Sequence, residues 1–361
     1  MKRLALLLGS LLVVSAAASA KEVVPAPVVV QETPVQIVEK EVIVYREKAP
    51  EWRPSGAFDL QERYYGKTEN HKDGTWNGNN QYGRLQLEAS VQMTENQSLE
   101  VRSRTYQGFN SLDQAKNDEF RIKYHYDHGH LGDTKIDMNS LVRYEKNAGF
   151  FGEKDEDHPG RRNNGQTVEY RLNFDFAEYL FNNDFVKTTT ATVGPRYIYS
   201  WAGHGNDYVN TVGLYVDLVN ELPLGFSTEI ELDGIHYNWY QDAIDNDGHK
   251  KDFTVSVAAK LMHNYNLYAA DNYSIDWAFE GGYDTFDYSN RKVVDTANSS
   301  EHAAYSVYAE PSLTLTYNAT KFVDVYGTIG AEYRNWNVTA NSEASHWRWQ
   351  PYATVGVKTT F

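Results

Sequence analysis

Cysteine is absent from the 361-residue chain, which excludes a disulfide scaffold, thiolate metal ligation and a cysteine nucleophile. A basic excess is absent as well: 34 Lys and Arg stand against 49 Asp and Glu, a net charge of -15, and no segment concentrates the cations. Neutralising a phosphate backbone needs a basic face, so a nucleic-acid partner is excluded. Beyond the first 17 residues no long apolar run occurs, and serine and histidine form no recognisable catalytic motif. His125, His236 and His263 fall on separate segments, so no catalysis and no cofactor is expected. What the chain has in abundance is tyrosine, 27 residues of it.

The N-terminus has its own texture. Lys2 and Arg3 precede an apolar run from Leu4 to Ala17, followed by Ala18, Ser19 and Ala20. This pattern is a secretory signal cleaved after Ala20, too short and wrongly flanked to span a bilayer. Cleavage removes two basic residues and no acid, so 34 cations become 32 and the net charge falls from -15 to -17. Residues 21–52 then form a Pro/Val/Glu-rich arm, with Pro25, Pro27, Pro34 and Pro50 around a stretch containing Ile37, Val38, Val42, Ile43 and Val44. It reads as an extended periplasmic spacer, with a short helix or strand as the other reading.

From residue 53 onward the hydrophobic period is two. In Asp118–Tyr126, Phe120, Ile122, Tyr124 and Tyr126 share one face while Arg121, Lys123 and His125 share the other. The same alternation recurs down the chain, for instance at Val212/Leu214/Val216/Leu218 and at Phe253/Val255/Val257/Ala259/Leu261, and the segments number about 14. Taken singly, each segment would also suit a soluble sandwich. The connections decide between them, because short links around 94–97, 127–133, 179–184, 220–225, 264–272 and 318–320 alternate with longer polar ones. That is the rhythm of an all-β, transmembrane, antiparallel up-and-down barrel with short periplasmic turns and long extracellular loops over residues 53–361. In hydrocarbon every N–H and C=O must pair, and a closed ring of strands leaves no open edge. A phase slip from Leu232 to Ile235 at Gly234 marks a bulge or a boundary.

Aromatic rings with polar tips settle at lipid–water boundaries. Tyr197, Tyr199, Trp201, Tyr237, Trp239, Trp347 and Trp349 fall near the long-loop ends of their strands, and Tyr265, Tyr273, Tyr317 and Phe361 near the short-turn ends. The final residues, Gly356 to Phe361, alternate and end on an aromatic carboxy-terminus, the form of an assembly signal read by the barrel assembly machinery. They are also simply a last strand.

The leader from Met1 to Leu6, the junction Ala20-Lys21-Glu22-Val23-Val24-Pro25-Ala26-Pro27, the arm Val38–Arg46, Trp52-Arg53-Pro54, the turn and strand Thr94–Arg102 and the segment Tyr317–Val325 together resemble the FomA-type major outer-membrane porins of fusobacteria. That resemblance implies a general diffusion channel in the bacterial outer membrane, for ions and small hydrophilic solutes, with surface adhesion as a further role. Porins often associate as homotrimers, but the outward positions show no patch of small residues marking a subunit contact.

The inward phase can be read directly. Fourteen strands about 4.8 Å apart and tilted about 40° enclose a backbone ring roughly 28 Å across and a lumen of roughly 15 Å. Arg84, Arg102, Arg104, Arg121, Lys123, Arg143 and Arg171 line one wall, with Glu88, Glu100, Asp137, Glu169 and Asp175 among them. Asp217, Glu229, Glu231, Asp233, Asp276, Glu280, Glu310, Asp324 and Glu332 line the other, with Lys260 and Arg334 as exceptions. Opposed walls would create a transverse field; local neutralisation between neighbours would cancel it. The third long loop carries Glu153, Asp155, Glu156, Asp157, Arg161 and Arg162, either a constriction folded inward or a solvated surface run. Tyr106, Tyr215, Tyr308, Tyr326 and Tyr352 suit either an oligosaccharide track or lumen packing. His128 and His130 flank Gly129 in what reads as an exposed turn, where a weak metal site competes with a plain polar surface. An adhesin or structural barrel with a closed lumen is the alternative from another class.

Overall fold

A computed structural model of the chain describes residues 52–69, 81–108, 118–147, 153–154, 162–163, 165–201, 208–242, 248–291, 302–338 and 344–361. The leader and nearly all of the arm lie outside them. Fourteen strands form the fold: β1 (Ser55–Tyr65), β2 (Tyr82–Thr94), β3 (Gln97–Gly108), β4 (Glu119–His130), β5 (Asp137–Asn147), β6 (Gly165–Asp175), β7 (Lys187–Trp201), β8 (Tyr208–Glu221), β9 (Phe226–Tyr240), β10 (Lys251–Ala269), β11 (Tyr273–Ser289), β12 (Ala303–Thr320), β13 (Val323–Val338) and β14 (Ala344–Thr360). Each pairs antiparallel with its sequence neighbours, and β14 returns to β1, from Ala57 opposite Thr360 to Tyr65 opposite Tyr352. The barrel is closed. Glu153–Lys154 and Arg162–Asn163 pair separately as a two-residue ladder in the third long loop.

The seam between first and last strands is sealed by the terminal residue. Gly56 and Phe361 exchange backbone hydrogen bonds of 3.0 and 3.1 Å, and the Phe361 ring lies over Gly56 where a Cβ would stand. Strands run from 11 to 19 residues, at or beyond the 9–11 that a tilted strand needs to cross hydrocarbon.

Four of the short links differ from the sequence reading, and one of them, 318–320, belongs to β12, so that the turn falls on residues 321–322. β4 continues through Gly129 to His130, because a bulge at Gly129, in the left-handed region at φ 74°, lets the ladder go on to Asp137. β10 likewise runs on through Asn264 and Asn266 to Ala269, again past a bulge, leaving only residues 270–272 as the turn. The link after β6 is wider than expected, 176–186, and holds a single helical turn at Ala177–Tyr179. Polar asparagines and histidines at these strand ends suggest turns by composition, whereas the pairing is set by the neighbouring strand.

The interior is polar. Gln86, Glu119, Glu169, Glu229 and Gln350 are almost fully covered, while Leu85, Val212, Ile329 and Val355 are exposed on the outer face. Soluble proteins bury the reverse set.

Candidate functional site

The side chains that carry charge sit on the inner face, two residues apart on each strand, and adjacent strands bring them into register. On β2 to β7, arginines interleave with carboxylates. Glu119 at the top of β4 takes a hydrogen bond of 2.8 Å from Arg102 Nε, a second from Arg102 Nη2, and lies 3.5 Å from Arg104 Nη1. Arg104 Nε donates to Gln86 Oε1 at 2.6 Å. Lys123 and His125 both face Glu100, at 3.5 and 3.4 Å. Glu169 is the second hub, 2.7 Å from Arg143, 3.6 Å from Arg196 and 3.9 Å from Arg171.

Arg196 was invisible to the sequence reading. Its neighbours Gly194 and Pro195, and the inward Ile198, blur the alternation of β7, so nothing flagged a cation there. The structure makes it a junction: Arg196 Nε donates to His236 Nε2 at 2.8 Å and its Nη1 lies 3.2 Å from Asp233. The phase slip on β9 explains how both reach it. Asp233 is the extra residue of a bulge between Leu232 and Gly234, which aims Asp233 and, after the slip, His236 into the lumen.

From β8 to β13 carboxylates dominate. Asp217 stands directly opposite Glu231, and Glu280 opposite Glu310. Like charges in cross-strand register repel, and the relief comes from longer side chains: Lys260 Nζ donates to Glu229 at 3.1 Å, Tyr308 donates its hydroxyl to Glu280, and Arg63 Nη1 reaches Glu310 at 3.4 Å. Arg334 holds Glu332 at 2.6 Å and Asp284 at 3.4 Å. Asp276 accepts from Asn266 and Ser274, and Asp324 stands opposite Lys358. Arg63, another cation passed over, sits in a strand whose alternation is broken by Glu62 on the outer face.

Glycines on the inner face let long side chains lie flat and reach a partner two strands away. Tyr326 lies over Gly356 and donates to Asp59 at 2.8 Å; Tyr352 covers Gly330; Arg171 crosses Gly194 to stack on Tyr215, 3.6 Å from its centroid. Near the long-loop rim, Tyr65 and Tyr82 stack at 4.4 Å, with Tyr106 and Tyr352 beside them and Arg63 over Tyr352 at 4.2 Å. All four of these tyrosines are buried, so their ring faces are engaged in packing.

The loop residues Glu153, Asp155, Glu156, Asp157, Arg161 and Arg162 have side chains outside the described set. Among the described residues no group of three or more His, Asp or Glu is arranged to hold a metal. His130 Nδ1 faces Asp137 at 2.7 Å, and His128 Nε2 meets Ser140 Oγ at 2.8 Å on the outer face near the short-turn end. This serine–histidine contact was not legible in sequence, since the two lie 12 residues apart on paired strands. Among the described residues no carboxylate accepts a hydrogen bond from the His128 ring, the contact by which a third member would orient a serine–histidine pair.

On the outer face, aromatics group at both ends of the barrel. Tyr199 stacks on Trp201 at 5.3 Å, Tyr237 meets Trp239 edge-on at 4.6 Å, and Tyr333 lies 4.9 Å from Trp349, all toward the long loops. Tyr268 and Tyr273 stack at 5.6 Å at the short-turn end, where Tyr265 and Tyr317 are also exposed.

Fold and site together define a closed 14-strand β-barrel with an apolar outer belt and a charged inner wall. No family model matches the chain, and no curated protein matches it. Among solved structures it is similar to a bacterial polysaccharide outer membrane secretin (11% identity, over 85% of this chain and 98% of that one, TM-score 0.40), the outer membrane channel DcaP of Acinetobacter baumannii (10%, 86% and 96%, 0.35) and the Salmonella typhi outer membrane phospholipase (12%, 83% and 90%, 0.30). The likeness is one of barrel architecture, which carries channels and an enzyme alike, and at these values it carries no argument about activity.

Proposed function

We propose that the chain is a bacterial outer-membrane porin of the FomA-like type, exported with a leader cleaved after Ala20, which forms a water-filled passage for ions and small hydrophilic solutes and is not an enzyme. The observation that carries this reading is the inverted distribution of polarity: apolar side chains face outward around the whole ring and charges face inward. Such an outer belt is stable only against lipid. The inner wall argues for water, because Arg84 Nε, Gln86 Nε2, Asp217 Oδ1 and Glu229 Oε1 find no hydrogen-bond partner among the described residues, and each would cost about 1–3 kcal/mol in a dry interior.

The charge of the lumen is asymmetric in a way the inward sequence positions only half convey. The cations of β2–β7 are largely balanced by Glu119, Glu169 and Glu100, whereas β8–β13 keep a carboxylate excess that Lys260 and Arg334 do not offset. The resulting field runs from a nearly neutral wall to a negative one, which favours cations. The loop between β5 and β6 would act as the constriction, Gly356 and Phe361 as part of the assembly signal, and outer-membrane lipid, a homotrimer and surface adhesion ligands as the partners. Deleting Gly152–Gly160 is expected to enlarge conductance, and unchanged conductance would return that loop to the surface. Swelling of proteoliposomes in sugars of graded size tests the porin itself: rates falling smoothly with size support a sieve, a preference for one oligosaccharide supports a selective track, and no swelling with folded protein supports a closed barrel.

A further inference from the structure

Most cations of the lumen form an ion pair with a carboxylate, but Arg121 and Arg84 on the β2–β4 wall form none with any described residue. Arg121 and Arg102 stand directly opposite each other in the ladder, and like charges so placed repel. Glu119 occupies the Nε–Nη2 edge of Arg102, leaving Nη1 buried without a hydrogen bond among the described residues. Arg121, more than nine-tenths buried, makes no hydrogen bond or ion pair with any described residue. One step up the same wall, Arg84 Nε and Nη2 and the amide nitrogen of Gln86 are also buried and without hydrogen-bond partners among the described residues, with the Arg84 guanidinium 5.7 Å from the Tyr65 ring centroid. Glu88 and Glu145 flank Arg102 and Arg121 in register, yet neither forms an ion pair with them. Buried guanidinium donors without acceptors are expensive, and planar forks of this kind match an oxyanion bidentately.

We propose that Arg102 Nη1, Arg121, Arg84 and Gln86 Nε2 form a binding subsite for a small oxyanion, a carboxylate or phosphate group of a passing solute, set in a lumen that is negative overall. The proposal rests on the reading of the lumen as open to solutes. The test is calorimetric titration of inorganic phosphate into the full-length barrel held in lipid nanodiscs, with chloride as the background anion. Wild type is expected to bind saturably, and Arg121→Met and Arg84→Met, which remove no described ion pair, to bind at least tenfold more weakly. Lys135→Met, an equal loss of charge on a periplasmic turn, is expected to bind as wild type. Heat-modifiable migration of each variant on unboiled gels reports that it has folded. Absence of saturation in folded wild type, or equal weakening by Lys135→Met, would overturn the subsite. Bilayer steps without phosphate binding would sink the subsite alone; binding without steps would sink the open channel and leave the subsite standing.

Discussion

At the residue scale the lumen is built on flat-lying side chains and the glycines that admit them. Gly330 has no Cβ because the Tyr352 ring occupies that place, and Tyr352 in turn carries the Arg63 guanidinium. Gly330→Val would push the ring off the wall and into the passage. The expected outcome is a lower single-channel conductance together with destabilisation of about 1–3 kcal/mol, the usual penalty for forcing a packed side chain aside; Tyr352→Phe, which keeps the ring, should leave conductance close to wild type. Planar-bilayer recording and thermal melting read the two effects. A companion prediction concerns Arg196, whose guanidinium ties Glu169, Asp233 and His236 together. Arg196→Met should be among the most destabilising single changes in the lumen, by about 3–5 kcal/mol, because it strips partners from buried charges. Gly330, Arg63 and Arg196 were not marked by the sequence, and Tyr352, Glu169 and Asp233 only as inward residues, because alternation tells which face a residue occupies and says nothing of which neighbour it will touch two strands away.

At the scale of elements the sequence is far more legible. Phe120/Ile122/Tyr124/Tyr126 on β4 and Val212/Leu214/Val216/Leu218 on β8 read as strands with one apolar face, and the structure pairs them so. Period two survives because one face must be apolar and the other polar, whatever the partner. Boundaries survive less well: β10 outruns its expected end at Asn264 because the ladder with β11 continues through a bulge. Bulges also carry the clearest element-scale prediction. Removing Asp233 deletes the extra residue of the β9 bulge and leaves Leu232 and Gly234 consecutive opposite Val257 and Ser256, so every following side chain keeps its face. Tyr237 and Trp239 would still point outward and His236 and Asn238 into the lumen. The deletion is expected to preserve assembly, read as a retained heat-modifiable band, while removing the Asp233 contact of Arg196; loss of the band would show that the bulge itself is required.

At the scale of the whole molecule, what matters is the sign of the charge facing the bore and the nature of the surface around it. Reversing Arg102 and Arg104 to Glu removes the cations that balance Glu119 and leaves both walls negative. The expected result is a stronger preference for potassium over chloride in reversal-potential measurements; an unaltered preference would show that local pairing, and no field across the lumen, governs the ions. The ring order, the closure of β14 on β1 and the two aromatic groups were all implied by alternation and loop rhythm. The roles that the sequence suggests for the leader, most of the arm and most of the long loop after β5 fall outside the described residues.

The most direct test of the inside-out polarity is single-channel recording of the purified, folded protein in a planar bilayer. A hydrated, charge-lined bore predicts discrete current steps, ohmic with salt and selective for cations. Folded barrels that insert into the bilayer and pass no current would contradict it.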